Sequence, residues 1–453
     1  MSAVSSTLDL PGTLKRVLGW LWPALMLLIL GAHFYRGSEY GIVLCVIGIL
    51  VFANQNSAWK HYAVAFFLFW GMLEWGESAW QLARMRMLME LPWLRLAAIL
   101  LSVAALTGLA GKQMLSRARR ASAQNPQEYA CFKGSVFMLT FLLLFYLRHA
   151  AKMDFLLLER YLPVLGSVQI FFAAWYAAFI GGKLVVPRQS RKTRRRIWLI
   201  FGGVFFAQFF FGLFGLERML LSDALHVPVP ALIILGPLFR NAFSMMLIIV
   251  PIATLLAGNI WCSSLCYFGA LDALAAGKKG VRPYPEKLRF VLQYGQLIVL
   301  LIGVLLALGL RAAGTSGLLA ASVAVVFAVL SLLFMVLVSR PYRGMAYCTM
   351  VCPMGLVTRL LGRLSPWRVR VDTQRCDDCG ICEKICKYQA ITPASRADGK
   401  TLSRCTLCRD CIGSCAEKAI FIHFPGLAPE RAWLFLSGLT TVLHVLFLSV
   451  AMA

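Results

Sequence analysis

Eight of the chain's fourteen cysteines fall within the forty residues 376–415, and their spacing is that of an iron–sulfur ligand set. Cys376, Cys379, Cys382 and Cys386 follow C-x2-C-x2-C-x3-C, and Cys405, Cys408, Cys411 and Cys415 repeat the pattern 29 residues later. Three thiolates this close in sequence can take three corners of one cubane, while the fourth comes from the opposite half. On that rule Cys376, Cys379, Cys382 and Cys415 hold one [4Fe-4S] cluster, and Cys405, Cys408, Cys411 and Cys386 hold the other. Zinc and disulfides fit less well. Zinc sites pair C-x2-C knuckles across a longer loop, whereas each half here supplies three cysteines in seven residues and then a fourth.

The spacing matches that of two-cluster bacterial ferredoxins, with one departure: Lys387 and Ala416 stand where a proline usually follows the fourth cysteine. The short apolar runs Ala390-Ile391 and Ala419-Ile420 follow each motif as expected of a packed ferredoxin half. A second group of cysteines forms an internal repeat. Trp261-Cys262-Ser263-Ser264-Leu265-Cys266-Tyr267-Phe268-Gly269 returns 86 residues later as Tyr347-Cys348-Thr349-Met350-Val351-Cys352-Pro353-Met354-Gly355, and Leu274 and Leu360 extend the match. Residues four apart share a helix face, so each C-x3-C pair is expected to present both sulfurs in one direction. Arg343 and Lys278 nearby would bias the four thiols toward thiolate. Cys262, Cys266, Cys348 and Cys352 then either ligate iron or a further iron–sulfur centre, or cycle between dithiol and disulfide, or only pack where helices bend. A disulfide facing the cytoplasm is vulnerable to cellular thiols, which favours ligation.

These motifs need elements to hold them, and composition says what kind. Of 453 residues, 60% are hydrophobic and 14% charged, which describes a polytopic membrane protein with a small polar domain. The net charge of +25 would suggest nucleic acid in a soluble chain. Here the basic residues cluster beside apolar spans, so no nucleic-acid partner is expected, and membrane lipid is. Eleven stretches are long enough to cross a bilayer, near residues 17–34, 39–54, 62–80, 93–112, 131–148, 163–182, 196–216, 232–258, 290–310, 317–338 and 432–451. With Lys15 and Arg16 inside, the inner loops are those of Lys112–Arg120, Lys183–Arg196, Lys278–Lys287 and Arg340–Arg431, the most basic in the chain. That bias predicts an N-in, C-out protein of a bacterial cytoplasmic membrane, with its ferredoxin domain in the reducing cytoplasm and Ala453 outside. The first span lacks a small-x-small cleavage site at Gly31-Ala32-His33 and is expected to remain as an anchor.

The expected fold class is thus an all-α polytopic membrane protein of about eleven transmembrane helices with an inserted small α+β domain for two [4Fe-4S] clusters. Its parts are a six-helix region over 1–190, a membrane core with both C-x3-C motifs over 191–366, the ferredoxin domain over 367–425 and a last transmembrane helix over 426–453. In the N-terminal region, Glu74 and Glu77 lie near the outer end of the third span. Intramembrane acids are costly and usually functional, so both are candidate proton acceptors beside a quinol, against a plain interfacial role in an aromatic belt. Arg240-Asn241, just after Gly236-Pro237, marks either a helix break or a later span start. His33, His149 and His226 lie near the outer face without a spacing that singles out a haem pair. Cys45 and Cys131 read as small apolar residues. No hydrolytic triad, phosphate loop or dinucleotide fingerprint is present.

The two C-x3-C motifs after membrane helices, followed by the two-cluster cysteine pattern, resemble the NapH/NosR/CcoG-type membrane polyferredoxins over about residues 235–425. Tyr267 replaces a proline of that pattern, and no extracytoplasmic flavin-binding domain is visible. The resemblance implies a quinol dehydrogenase-like component that exchanges electrons between the quinone pool and a redox partner protein. The copper-oxidase accessory branch of the same family implies the alternative, a metal-reducing or assembly factor acting on a client metalloenzyme.

Overall fold

The computed structural model of the chain describes residues 12–53, 57–150, 156–162, 165–216 and 227–450, so His226 and Ala453 lie outside the described residues. The chain divides into two units, one of residues 1–154 with 162–178 and the other of residues 155–161 with 179–453. The first holds α1 (Gly12–Arg36), α2 (Tyr40–Ala53), α3 (Ala58–Leu88), α4 (Leu94–Gln124), α5 (Ala130–Ala150) and the start of α6 (Gly166–Leu184). Its core is aromatic: Phe67 meets Phe141, and Phe137 meets Phe171, edge to face, the arrangement that ring quadrupoles favour.

The second unit begins with the end of α6 and continues through α7 (Pro187–Leu213), α8 (Leu232–Arg240), α9 (Met246–Ala257), a π-helical turn at Trp261–Leu265 and α10 (Tyr267–Ala276). Two long helices follow, α11 (Arg289–Ala312) and α12 (Gly317–Phe334), the latter running through a second π-helical turn, Met335–Ser339, into α13 (Arg340–Tyr342). Then come α14 (Ala346–Met350), α15 (Pro353–Leu361), β1 (Arg368–Val371), α16 (Ile381–Ile385), α17 (Pro393–Ala397), β2 (Ile420–His423) and α18 (Pro429–Val450). The strands pair antiparallel, Arg368 opposite His423 and Val371 opposite Ile420. Val369, Val371, Ile420 and Ile422 point inward and are buried, as the two-residue strand period requires. All eight cysteines of the double motif lie between these strands.

Six helical stretches among the described residues are long and apolar enough to cross a bilayer, fewer than the eleven expected: 94–124, 126–150, 187–213, 286–312, 317–342 and 429–450. In the stretch 286–312 only 11% of the most apolar window is buried inside the protein, and Leu305 is 71% exposed. An apolar helix this uncovered suits lipid rather than water. The predicted span 232–258 is two short helices instead. Gly236 and Pro237 weaken the first, Asn241 ends it in the left-handed conformation at φ 52°, and Pro251 interrupts the second. The predicted basic loop Arg191–Arg196 is also helical, forming the second and third turns of α7, because one of its arginines is taken into the interior.

Candidate iron–sulfur and cysteine sites

The two C-x3-C motifs are built alike, but not on a shared helix face as expected. Cys262 sits in the π-helical turn, and Cys266 caps α10 with extended backbone at φ −82°, ψ 115°. Cys348 sits in α14, and Cys352 caps α15 at φ −66°, ψ 113°. Each pair therefore straddles a corner between one helical turn and the next helix. The glycine that repeats with the cysteines has a visible reason. A Cβ on Gly355 would stand 2.7 Å from the carbonyl oxygen of Cys348, and one on Gly269 would stand 3.1 Å from that of Cys262. Tyr267, in place of proline, stacks on Phe205 of α7 with ring centroids 3.7 Å apart.

All four cysteines line one small cavity together with Trp261 and Tyr347. Burial pushes the Cys262 thiol up to about 11 and that of Cys352 up to about 12, and raises Cys266 and Cys348 as well. The expected bias toward thiolate from Arg343 and Lys278 is absent. Lys278 is exposed, while the charge beside Cys348 is Asp272, whose carboxylate accepts the Cys348 amide at 3.1 Å. Thiols that burial holds protonated are poor redox thiols, and a ligated group is what would favour their deprotonation. Among the described residues no three His, Cys, Asp or Glu side chains converge as a single metal ion would need.

In the double motif, Cys386, Cys405, Cys408 and Cys411 line a second small cavity, with Tyr388 and Ala390 in its wall. Cys386 of the first motif thus lines one cavity with three cysteines of the second. Of the other set, Cys382 lies in α16, which packs on the short turn Ile412–Ser414 beside Cys415, while Cys376 is half-buried and Cys379 exposed. Arg396 holds this half by bonding Asp378 at 2.8 Å and Glu383 at 2.5 Å.

Several residues that join the two cysteine systems escaped the sequence reading. Arg194 of α7 is buried and donates twice to Asp410, Nε to Oδ1 at 3.1 Å and Nη2 to Oδ2 at 2.7 Å, and its Nη1 donates to the Ser263 carbonyl at 2.6 Å. Tyr388 donates its hydroxyl to the Cys262 carbonyl at 3.0 Å, and Ser263 donates to the Thr406 carbonyl at 3.0 Å. Lys387, flagged by the missing proline, donates to the carbonyls of Ala276, Lys279 and Arg343 at 3.3, 2.6 and 2.8 Å. Burial, reinforced by Arg191, Arg195 and Arg343, lowers its ammonium to about 8. The sequence did carry one further signal, an acid inside the apolar run of α10, and it is Asp272.

Glu74 and Glu77 belong to the other unit. Glu74 stands 3.9 Å from His33 Nε2, whose ring lies 4.5 Å from that of Trp75, and Glu77 accepts from Gln81 one turn on at 2.9 Å. Cys45 donates to the Ser167 carbonyl at 3.2 Å, as a buried helical thiol does. His149 bonds the Phe145 carbonyl of its own helix, and Asn241 is the helix break already described.

Two family models match this chain, and both are described as 4Fe-4S binding domains. One covers residues 241–283 and 317–371, which contain Cys262, Cys266, Cys348 and Cys352; the other covers 368–391, with the first motif of the double set. The chain carries iron–sulfur binding domains. An uncharacterized protein of Methanocaldococcus jannaschii is 27% identical over 181 residues, which are 38% of this chain and 68% of that protein. Escherichia coli YccM, provisionally assigned to electron transport by its name, is 30% identical over 100 residues, 22% of this chain and 28% of YccM. No solved structure matches. These likenesses support an electron-transfer role.

Two substitutions check this geometry. Gly355→Ala puts a methyl against a backbone carbonyl that cannot rotate away, so thermal unfolding in detergent should show a loss of about 1–3 kcal/mol. Arg194→Met leaves buried Asp410 with only the distant Arg191, at 3.9 Å, and should cost about 3–5 kcal/mol, whereas Arg194→Met with Asp410→Leu should recover much of the loss. Equal loss in both variants would show that the pair contributes nothing specific.

Proposed function

We propose that this is a cytoplasmic-membrane electron-transfer protein that passes electrons between the quinone pool and a redox partner protein. Cys376, Cys379, Cys382 and Cys415 hold one [4Fe-4S] cluster, Cys405, Cys408, Cys411 and Cys386 a second, and Cys262, Cys266, Cys348 and Cys352 a third iron–sulfur centre. When bound, such clusters supply reversible one-electron transfer, with potentials set by burial and by hydrogen bonds to the sulfurs. The observation that carries the reading is the coupling of two cysteine-lined cavities by one residue. Tyr388 lines the cavity of Cys386, Cys405, Cys408 and Cys411, and its hydroxyl holds the carbonyl of Cys262.

The protein's own residues do the positioning. Arg194 fixes Asp410, between Cys408 and Cys411, against Ser263, between Cys262 and Cys266. Lys387 ties the end of the first motif to the chain ends around α10 and α13. The resemblance to quinol-linked polyferredoxins supports the quinone, and the acid–imidazole pair of Glu74 and His33 supplies groups able to accept a quinol proton. The basic segment opening α7 supports a cytoplasmic position for the cysteine-bearing end.

Anaerobically purified protein should contain about twelve irons per chain, three clusters of four, and show interacting reduced-cluster EPR signals. Replacing Cys262, Cys266, Cys348 and Cys352 together by serine should lower this to about eight and stop quinol-dependent reduction of the remaining clusters. Eight irons in the unaltered protein would remove the third centre, and zinc in place of iron would remove the whole reading. Glu74→Gln and Glu77→Gln should slow quinol-dependent cluster reduction by roughly a hundredfold or more for the true proton acceptor, with iron content unchanged. Unchanged rates in both would return the two acids to an interfacial role.

A further inference from the structure

A chamber of about 110 Å³ lies beside Cys405, between α15 and the loop 401–407, and its walls carry cations without anions. Arg359, Arg363 and Arg368 line it together with Asn259 and the residues Thr401 and Ser403. Asn259 and Arg359 also line an adjoining pocket that reaches Cys262 and Cys348, where Arg404 is added. Neither cavity has an aspartate or glutamate in its wall, and among the described residues neither Arg359 nor Arg363 has a carboxylate partner.

Polar groups in the wall are also unpartnered. Asn259 is 6% exposed, yet its side-chain oxygen has no hydrogen-bond partner, and Arg359 Nε is buried and unbonded in the same place. An amide oxygen and nitrogen exchange places by a flip, so Asn259 offers the chamber an N–H₂ group equally well. Arg368 is different, since it is spent on the carbonyls of Gly362, Ser365, Trp367 and Arg363 and contributes charge alone. Burial and the neighbouring Arg363 both disfavour the charged form of Arg359. Buried cations and orphaned donors cost free energy until something anionic satisfies them.

We propose that this chamber binds a small oxyanion of the phosphate class, and that its occupancy is coupled to the oxidation state of the cluster held through Cys405. Guanidinium groups match tetrahedral oxyanions, and Arg359, Arg363, Asn259, Thr401 and Ser403 together offer more donors than a single carboxylate accepts. Arg363 is exposed and marks the mouth. An added negative charge beside the cluster disfavours its reduction, and by reciprocity reduction weakens the anion's hold. The coupling rests on the iron–sulfur reading above; the binding does not.

The test uses the full-length protein in detergent with its iron content measured in every sample. Equilibrium dialysis with radiolabelled inorganic phosphate should show saturable binding of one ion per chain. Arg359→Gln and Asn259→Asp should each weaken it roughly tenfold or more, and the rim variant Arg363→Gln should weaken it by a smaller factor. Redox titration followed by EPR should show one midpoint potential falling as phosphate is added, with no response in Arg359→Gln. Absence of saturable binding, or equal binding in Asn259→Asp and Arg363→Gln, would overturn the site while leaving cluster content and electron transfer standing. A midpoint potential of the unaltered protein that stays fixed while phosphate saturates the site would overturn the coupling.

Discussion

The ion pair between Arg194 and Asp410 is the contact on which the arrangement of cysteines depends. It is buried on both sides, 7% and 6% exposed, and the third guanidinium nitrogen of Arg194 donates to the backbone of the C-x3-C motif. Solvation lost by two charges is expensive, so a pair like this adds little net stability over well-packed apolar groups. Its consequence is geometric. A two-point bond between guanidinium and carboxylate admits one orientation, and a third bond to Ser263 makes the sequence between Cys408 and Cys411 answer to that between Cys262 and Cys266. A lysine could supply the charge but not the three directions.

The same reasoning explains why the small domain is packed against its helices and not tethered to them. Trp367 donates to the Leu256 carbonyl at the end of α9, and Arg409 donates to Ser437 of α18 while lying over the Trp433 ring. Trp433 in turn donates to the Val185 carbonyl at the end of α6. Each of these is a large side chain whose polar end finds a helix terminus or a hydroxyl, which lowers the cost of burying it. Electron transfer falls steeply with separation, and a domain fixed by four helices keeps its cysteines at one separation from the membrane motif.

Much of this was legible from spacing alone, and the reasons for the rest are specific. The C-x2-C-x2-C-x3-C pattern and the 86-residue repeat are local, so they survive without knowledge of the fold. The glycine of that repeat was visible as a match, but its purpose, clearance for the first cysteine's carbonyl, is a contact in space. Helix faces were misjudged because C-x3-C spacing reads as one helix, whereas the second cysteine of each pair is an extended cap. The basic run Arg191–Arg196 reads as a loop because six polar residues in a row hide the buried pair Thr193 and Arg194. Span counting stumbled where Gly236-Pro237 and Asn241 divide an apolar stretch that length alone would pass. Lys387 was noticed only as a missing proline, since nothing local to it reveals three carbonyls brought from 44 to 111 residues away.

The arginines around the cysteines are themselves in need of counter-charge. Arg409 is 2% exposed, and burial with Arg194 close by lowers its guanidinium to about 10. Arg404 and Arg359 are likewise part-buried and mutually repelling. Asp410 is the one carboxylate among the described residues that is paired with the arginines of this region, and its two bonds go to Arg194. A protein interior does not keep an uncompensated set of cations at no cost. The groups positioned to compensate them are sulfurs: Cys405, Cys408 and Cys411 beside Arg409, and Cys262 and Cys348 beside Arg404. Neutral thiols cannot do so, and burial by itself holds these cysteines protonated. Ligation resolves the conflict from both sides, because a bound iron–sulfur cluster keeps its cysteines as thiolates and carries net negative charge. The arginines and the cysteines are each poorly accommodated alone and mutually satisfied once the cysteines are ligands, which is the physical case for metal at these positions independent of their spacing in the sequence.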